Sequence, residues 1–261
     1  MSSVKLTVKQ DPLTQCTDCP IRKMALFKDV SFEHLSWTQD HRDTQYSLKA
    51  KDYLYLEGDK PEFVYTLYSG WIKLYKSLGN GKKQVLRFAL PGDFLGFQGS
   101  SEGAMLHSAQ ALDDCVVCAF PRDRIQELFC QEPAIGNEMI LMNARVMSVC
   151  QEYLLSTGVR NAQERIAFLL LELFNRLHLL GRFRDESISE NSALVPITQE
   201  DISEAVGMTQ IHVNRMLRQM KEDNLLSCAN GRLKILDRDA LLKLANANPV
   251  LLESRPMYGA R

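Results

Sequence analysis

Little in the bulk composition points to a partner. The 261 residues carry a formal net charge of −1, so no overall basic excess marks the chain for nucleic acid. No apolar run approaches the ~18–20 residues needed to cross a bilayer, which argues against a membrane protein. The opening MSSVKLTVKQDP lacks the continuous apolar core of a secretory signal. There is no internal repeat and no low-complexity segment. Without an export signal, the seven cysteines suit a reducing, cytoplasmic setting. There they are more often free thiols, metal ligands or redox sensors than cross-links. A 45% hydrophobic content is enough for two compact domains, each with its own core.

What is present is concentrated near the C-terminus. From Ile197 the chain reads ITQEDISEAVGMTQIHVNRMLRQMK. Thr198 is a good N-cap, with Asp201 in the capping-box position. Ile202, Ala205 and Val206 give an inward face, and Gly207 permits a sharp turn. Thr209 can cap a second helix whose buried stripe is Val213, Met216, Leu217 and Met220. The opposite stripe is Ile211, Asn214, Arg215 and Arg218, with Gln210 and His212 beside it. Gln, Asn and Arg offer planar, multi-point hydrogen bonds to base edges, and Ile can touch a thymine methyl. The alternative is an amphipathic helical hairpin whose polar side merely faces water. The following residues favour the first reading: Leu225–Cys228 and Arg232–Ile235 flank Asn230-Gly231, a tight-hairpin signal. Helix, turn, helix and β-hairpin is the order of a winged helix-turn-helix. The local cations Arg215, Arg218, Lys221, Arg232 and Lys234 could meet phosphates, so double-stranded DNA is the expected partner.

Upstream, residues 1–30 read as an arm carrying Cys16-Thr17-Asp18-Cys19-Pro20, followed by a short helical piece around Phe32–Trp37. From Tyr46 to Pro121, short apolar runs separated by glycine turns argue for a jelly-roll-like β domain. The period then changes. Ile135, Met139, Met142, Val146, Val149 and Tyr153 alternate spacings of four and three, a heptad seam on a helix from Pro133 to Thr157. That stripe could lie on the chain's own β domain; the regular spacing favours a symmetric dimer seam, which would give DNA two recognition helices one turn apart. Gly158 marks a hinge, Asn161–Leu180 a strongly apolar helix, and Arg182–Ala193 a polar surface loop.

This order of elements resembles the Crp/Fnr family of bacterial transcription regulators. The resemblance covers nearly the whole chain, through Leu56-Glu57-Gly58-Asp59, Leu67 to Tyr75, Leu90 to Gly96, and Thr198 through Leu217. It implies an α+β fold: an arm (1–30), an N-terminal β-roll sensor domain (31–130), a long dimerisation helix (131–158) and a C-terminal winged helix-turn-helix (159–261). It also implies a cytoplasmic homodimer on a palindromic operator, re-aimed by its sensor domain and in contact with RNA polymerase. The following arginine of the family's reading helix is kept as Arg215, whereas Ile211 stands where familiar members have glutamate. The reading set is therefore Thr209, Gln210, Ile211, His212, Asn214, Arg215 and Arg218.

The cyclic-AMP branch of the family holds its ligand with a glutamate and an Arg-Ser pair. Phe97 stands at the first position and His107-Ser108 at the second, while Glu102 nearby would repel an anion. Without the guanidinium fork, cyclic AMP is not expected. The oxygen-responsive branch implies a 4Fe–4S cluster on four cysteines. Cys16 and Cys19 match the first pair and Cys118 the distant ligand, but Ala25 stands near the third arm position. Cys115 could be the fourth, giving C-x-x-C twice. Strand geometry opposes this, because side chains three apart point to opposite faces. A Cys16–Cys19 thiol switch, or cysteines that simply pack, are the other readings. Core packing is the reading for Cys130, Cys150 and Cys228.

His107 lies in the family's ligand pocket, His34, His41 and His178 have no constellation, and no haem-ligand signature appears. Two other functions compete. A thiol–disulfide oxidoreductase using Cys16-x-x-Cys19 lacks the βαβ surroundings such enzymes have. A constitutive DNA-binding protein with a vestigial sensor would not respond to oxidants or chelators.

Overall fold

The computed structural model describes residues 4, 6–10, 13–60, 62–97, 104–184 and 191–248. The chain divides into two compact units, Met1–Met142 and Asn143–Arg261. The division falls inside the long helix rather than at either end of it.

The first unit is built on two antiparallel sheets. Its elements are β1 (Thr7–Val8), α1 (Leu35–Asp40), β2 (Thr44–Leu48), β3 (Tyr53–Tyr55), β4 (Phe63–Ser69), β5 (Ile72–Ser77), β6 (Lys83–Ala89), β7 (Phe94–Leu95), β8 (Ser108–Ala111), β9 (Cys115–Pro121), α2 (Ile125–Gln131) and α3 (Pro133–Gly158). One sheet has the order β1-β2-β9-β4-β7 and the other β3-β8-β5-β6. The expected β texture is thus realised as a two-sheet roll. The first sheet is covered on both faces, and the period of two sorts its side chains. Tyr65, Leu67, Cys115, Val117 and Ala119 enter the core between the sheets. Val64, Phe120 and Cys118 face a second core formed with Leu26, Phe27, Val30, Leu35, Ile125, Leu128, Ile135 and Met139. The arm is therefore part of the unit: Ile21, Ala25 and Leu26 are buried, and β1 pairs with β2.

Gly70 closes the turn between β4 and β5 with φ +87°. A Cβ there would stand 2.5 Å from Cys115 Sγ and 2.7 Å from the Asp114 carbonyl oxygen. Left-handed backbone strain and a clash with main chain would act together. Gly70→Ala should destabilise the unit by about 3 kcal/mol or more, read as a lower urea midpoint of Trp71 fluorescence. A wild-type midpoint would mean that the turn relaxes freely.

Of the sequence's seam residues on α3, Ile135, Met139, Met142 and Tyr153 pack within the chain. Ile135 and Met139 are buried in the second core, and Met142 packs against it. Tyr153 lies edge-on to Phe168, with ring centroids 5.5 Å apart, and Val146 and Val149 are half-buried. The exposed apolar stripe lies one helical position away: Ile140 at 68% exposure, Met147 at 63% and Leu154 at 74%, with Cys150 exposed between them. Both stripes keep heptad spacing, so spacing alone could not tell the intramolecular one from the free one.

The second unit adds α4 (Ala162–Arg184), β10 (Ser192–Leu194), α5 (Gln199–Val206), α6 (Gln210–Glu222), β11 (Leu226–Ala229), β12 (Arg232–Ile235) and α7 (Arg238–Ala245). The apolar face of α4, including Ile166, Leu169, Leu170, Leu173 and Phe174, is buried. Arg160, itself 4% exposed, ties the end of α3 to this unit. It bonds Glu152 at 2.7 Å, Ser156 Oγ at 2.8 Å and the Asn246 carbonyl at 3.0 Å. The loop expected over Arg182–Ala193 is shorter than the sequence suggested. α4 runs to Arg184, and Ser192–Leu194 forms a third strand on β12; residues 185–190 lie outside the described residues.

Candidate functional site

The helix-turn-helix is assembled by its own local chemistry. Thr198 Oγ1 accepts from the Asp201 amide, and the Asp201 carboxylate accepts from the Thr198 amide, a complete capping box. Gly207 caps α5 with φ +69°. Thr209 Oγ1 then accepts from the His212 amide at 3.3 Å and starts α6. Val213, Met216, Leu217 and Met220 are buried. Thr209, Gln210, Ile211, Asn214, Arg215 and Arg218 are exposed and His212 is half-buried, so the expected reading set lies on the solvent face. Ile211 is 83% exposed, an apolar side chain standing in water on a polar face. Arg218 bonds Glu222 at 2.9 Å, a surface pair it can leave at small cost. Arg215 has no ion pair among the described residues.

Beside this helix, β11 and β12 turn through Asn230 and Gly231, with φ +52° and +68°. Positive φ at both central residues is the twist-matched hairpin turn. Along β12, Leu233 and Ile235 point inward while Arg232 and Lys234 are exposed. The wing therefore presents two cations outward.

In the first unit, the arm folds over the outer face of the five-stranded sheet. Cys16 and Cys19 of the arm and Cys118 of β9 line one pocket with Arg22, Ala25, Arg42, Gln45 and Thr66. Several bonds fasten the arm there. The Thr14 amide donates to Gln45 Oε1 at 3.1 Å, Arg42 donates to the Thr14 carbonyl at 2.7 Å, and the Cys16 amide donates to Gln39 Oε1 at 2.9 Å. Gln45 Nε2 donates to Cys118 Sγ at 3.2 Å. Burial pushes the Cys16 thiol up to about 11 and raises Cys19 too, with Cys118 adding to both. These are protonated thiols at neutral pH, not activated nucleophiles. Among the described residues, no group of three or more His, Cys, Asp or Glu side chains could hold a single metal ion as it stands.

Cys115 does not join the pocket. It points into the core between the sheets and donates to the Trp71 carbonyl at 3.2 Å, because three residues along a strand reverse the face. Burial, with Asp113 beside it, holds its thiol at about 12. Cys130, Cys150 and Cys228 are exposed rather than packed in a core. Gln45, Thr66 and Arg22 escaped the sequence reading. Only the strand register places Gln45 and Thr66 on either side of Cys118.

At the position of the family's ligand pocket, His107 Nε2 lies 3.0 Å from Tyr55 Oη. Burial, with Arg87 nearby, lowers its pKa to about 4, so the ring is neutral at physiological pH. Ser108 Oγ is taken by the Glu57 amide at 3.0 Å. Phe97 packs on Phe94 and Phe129, and Glu102 lies outside the described residues.

Comparison with known proteins agrees with both units. Residues 45–132 match the cyclic nucleotide-binding domain family, and residues 164–244 match the Crp-like helix-turn-helix domain. The chain is 26% identical to the transcriptional activator protein Anr of Pseudomonas protegens, over 89% of this chain and 93% of that one. It is 28% identical to the transcriptional activator protein FnrL of Cereibacter sphaeroides, over 84% and 87%. With the fumarate and nitrate reduction regulatory protein of Escherichia coli K12 it shares 25% identity over 88% and 90%. The structure of FixK2 from Bradyrhizobium japonicum superposes with a TM-score of 0.69 at 24% identity, covering 78% of this chain and 98% of that one, which supports the fold. With the capped reading helix, the wing and the β-roll, these likenesses place the chain in the Crp/Fnr family of DNA-binding transcription regulators, among relatives of the Fnr type.

Proposed function

We propose that this regulator takes its signal at the arm pocket, through a redox-labile group held by Cys16, Cys19 and Cys118. The observation that carries this reading is the convergence of the three thiols, from arm and strand, on one pocket. The donor chemistry fits an iron–sulfur group, since thiolates are its usual protein ligands. The set is one thiol short of four, because Ala25 is in the pocket wall and Cys115 is on the far face of the sheet. When bound, the group supplies oxygen and redox sensitivity. The chain's part is to hold it between arm and sheet, with Arg42 and Gln45 offering donors beside the sulfurs.

The protein acts in the cytoplasm as a homodimer, not as an enzyme, and works with RNA polymerase on a two-fold operator. Ile140, Met147 and Leu154 supply a self-complementary apolar seam. Neutral His107, standing where the cyclic-AMP branch has its arginine, supports an effector other than cyclic AMP.

The test is anaerobic purification followed by visible spectroscopy and iron and sulfide analysis. A brown, oxygen-labile protein is expected, with the colour lost in Cys118→Ala and kept in Cys115→Ala. A colourless, iron-free protein that binds DNA equally with and without oxidant would overturn the reading.

A further inference from the structure

The link between α3 and α4 does little to hold itself. α3 ends at Gly158, where an added Cβ would meet no atom within 4 Å, and Val159 is 79% exposed. Tyr153 rests edge-on against Phe168 of α4, a contact that tolerates sliding. The directional bonds come from two arginines. Arg160, buried in the link, reaches back to the Glu152 carboxylate and Ser156 Oγ on α3, at 2.7 and 2.8 Å. It reaches forward to the Asn246 carbonyl at the end of α7, at 3.0 Å, and its guanidinium lies 4.6 Å from the centre of the Phe168 ring. Arg165, on α4, donates to the Thr157 and Arg160 carbonyls at 2.8 and 2.9 Å, and to the Val206 carbonyl at the end of α5 at 3.4 Å. A planar guanidinium holds such bonds in fixed directions. One buried cation thus joins α3, α4 and α7.

The reading helix follows that clamp. α5, α6 and α7 pack on α4 and travel with it. α4 has 23 residues, a length of about 34 Å. A tilt of about 6° at the link moves its far end by about 3.4 Å, one base-pair step. On α3, exposed Leu154 falls between Glu152 and Ser156, so the apolar stripe and the clamp share the same turn.

We propose that Arg160 sets the half-site spacing that the dimer accepts, by fixing the angle between α3 and α4 in each protomer. This rests on the two-fold seam along α3 and deepens it. Arg160 is a positioning residue: it decides where α6 stands relative to the two-fold axis. One base pair too many moves the second half-site by about 3.4 Å and about a tenth of a turn, and a rigid dimer then loses it.

The test uses full-length protein and the operator that wild type selects from random DNA, remade with the gap between half-sites one base pair shorter or longer. Retardation gives Kd for each duplex and for a single half-site. Wild type should lose roughly a hundredfold on either altered gap, because only one half-site is then engaged. Arg160→Met keeps an apolar chain over Phe168 and none of the bonds. It should lose only about tenfold or less on the altered gaps, with wild-type affinity for the single half-site. Glu152→Ala combined with Ser156→Ala frees only the α3 side of the clamp. It should relax the spacing in the same direction, and it decides the matter if Arg160→Met does not fold. A purely structural role predicts weaker binding to every duplex with the spacing ratio unchanged. Folded, dimeric variants that keep the wild-type ratio would therefore overturn the proposal and leave the dimer in place. Wild type that sediments as a monomer would remove the seam and the spacing role together.

Discussion

Arg215→Ala should abolish specific retardation of operator DNA while leaving the fold intact. Arg215 is exposed on α6, pairs with no carboxylate among the described residues, and sits on the face opposite Val213, Met216 and Leu217. Its removal therefore takes nothing from the core. A bidentate arginine–guanine contact is worth roughly 1–3 kcal/mol of discrimination. In a symmetric dimer the loss occurs in both half-sites, so roughly 2–6 kcal/mol is expected, from about thirtyfold to four orders of magnitude in Kd. The loss should fall on cognate sequence far more than on random DNA. Lys234→Ala on the wing should weaken both alike and reduce the salt dependence, as expected of a phosphate contact. Undiminished operator binding by Arg215→Ala would remove α6 as the reader.

The second large effect concerns how the dimer forms. Met147→Glu puts a carboxylate in the middle of the exposed stripe on α3, where a two-fold partner would set an identical carboxylate against it. Two desolvated like charges, and the loss of apolar contact, should cost several kcal/mol, on the order of a thousandfold or more in dimer dissociation. Sedimentation equilibrium would show monomers at micromolar concentration, whereas Met147→Leu should remain dimeric. Operator affinity should fall with Met147→Glu, because one recognition helix then reads one half-site. A stable Met147→Glu dimer would mean that the seam lies on another surface.

These two variants also show where the sequence could be read and where it could not. The reading helix is local chemistry. A capping box, a left-handed glycine, an N-cap threonine and a 3.6-residue period each act within a few residues. Thr198, Gly207, Thr209 and the stripe from Ile211 to Arg218 were therefore legible, and so was the hairpin turn at Asn230-Gly231. The short strands and glycine turns announced the β-roll for the same reason. Tertiary structure was needed wherever two elements meet. The two heptad stripes on α3 have the same spacing. Only the packing of Ile135 and Met139 under the arm, and of Tyr153 on Phe168, shows which is spent within the chain. The cysteines follow the same logic. Sequence spacing makes Cys115 and Cys118 a pair, but the alternation of a strand sends one into the inner core and the other to the arm. Cross-strand register then gives Cys118 its neighbours Gln45 and Thr66, and no one-dimensional pattern holds that register. The sequence by itself determined the kind of protein and the helix-turn-helix, because caps, turns and helical periods are short-range. The structure decided which thiols meet and which apolar stripe is free, because both depend on which faces of distant strands and helices are brought together.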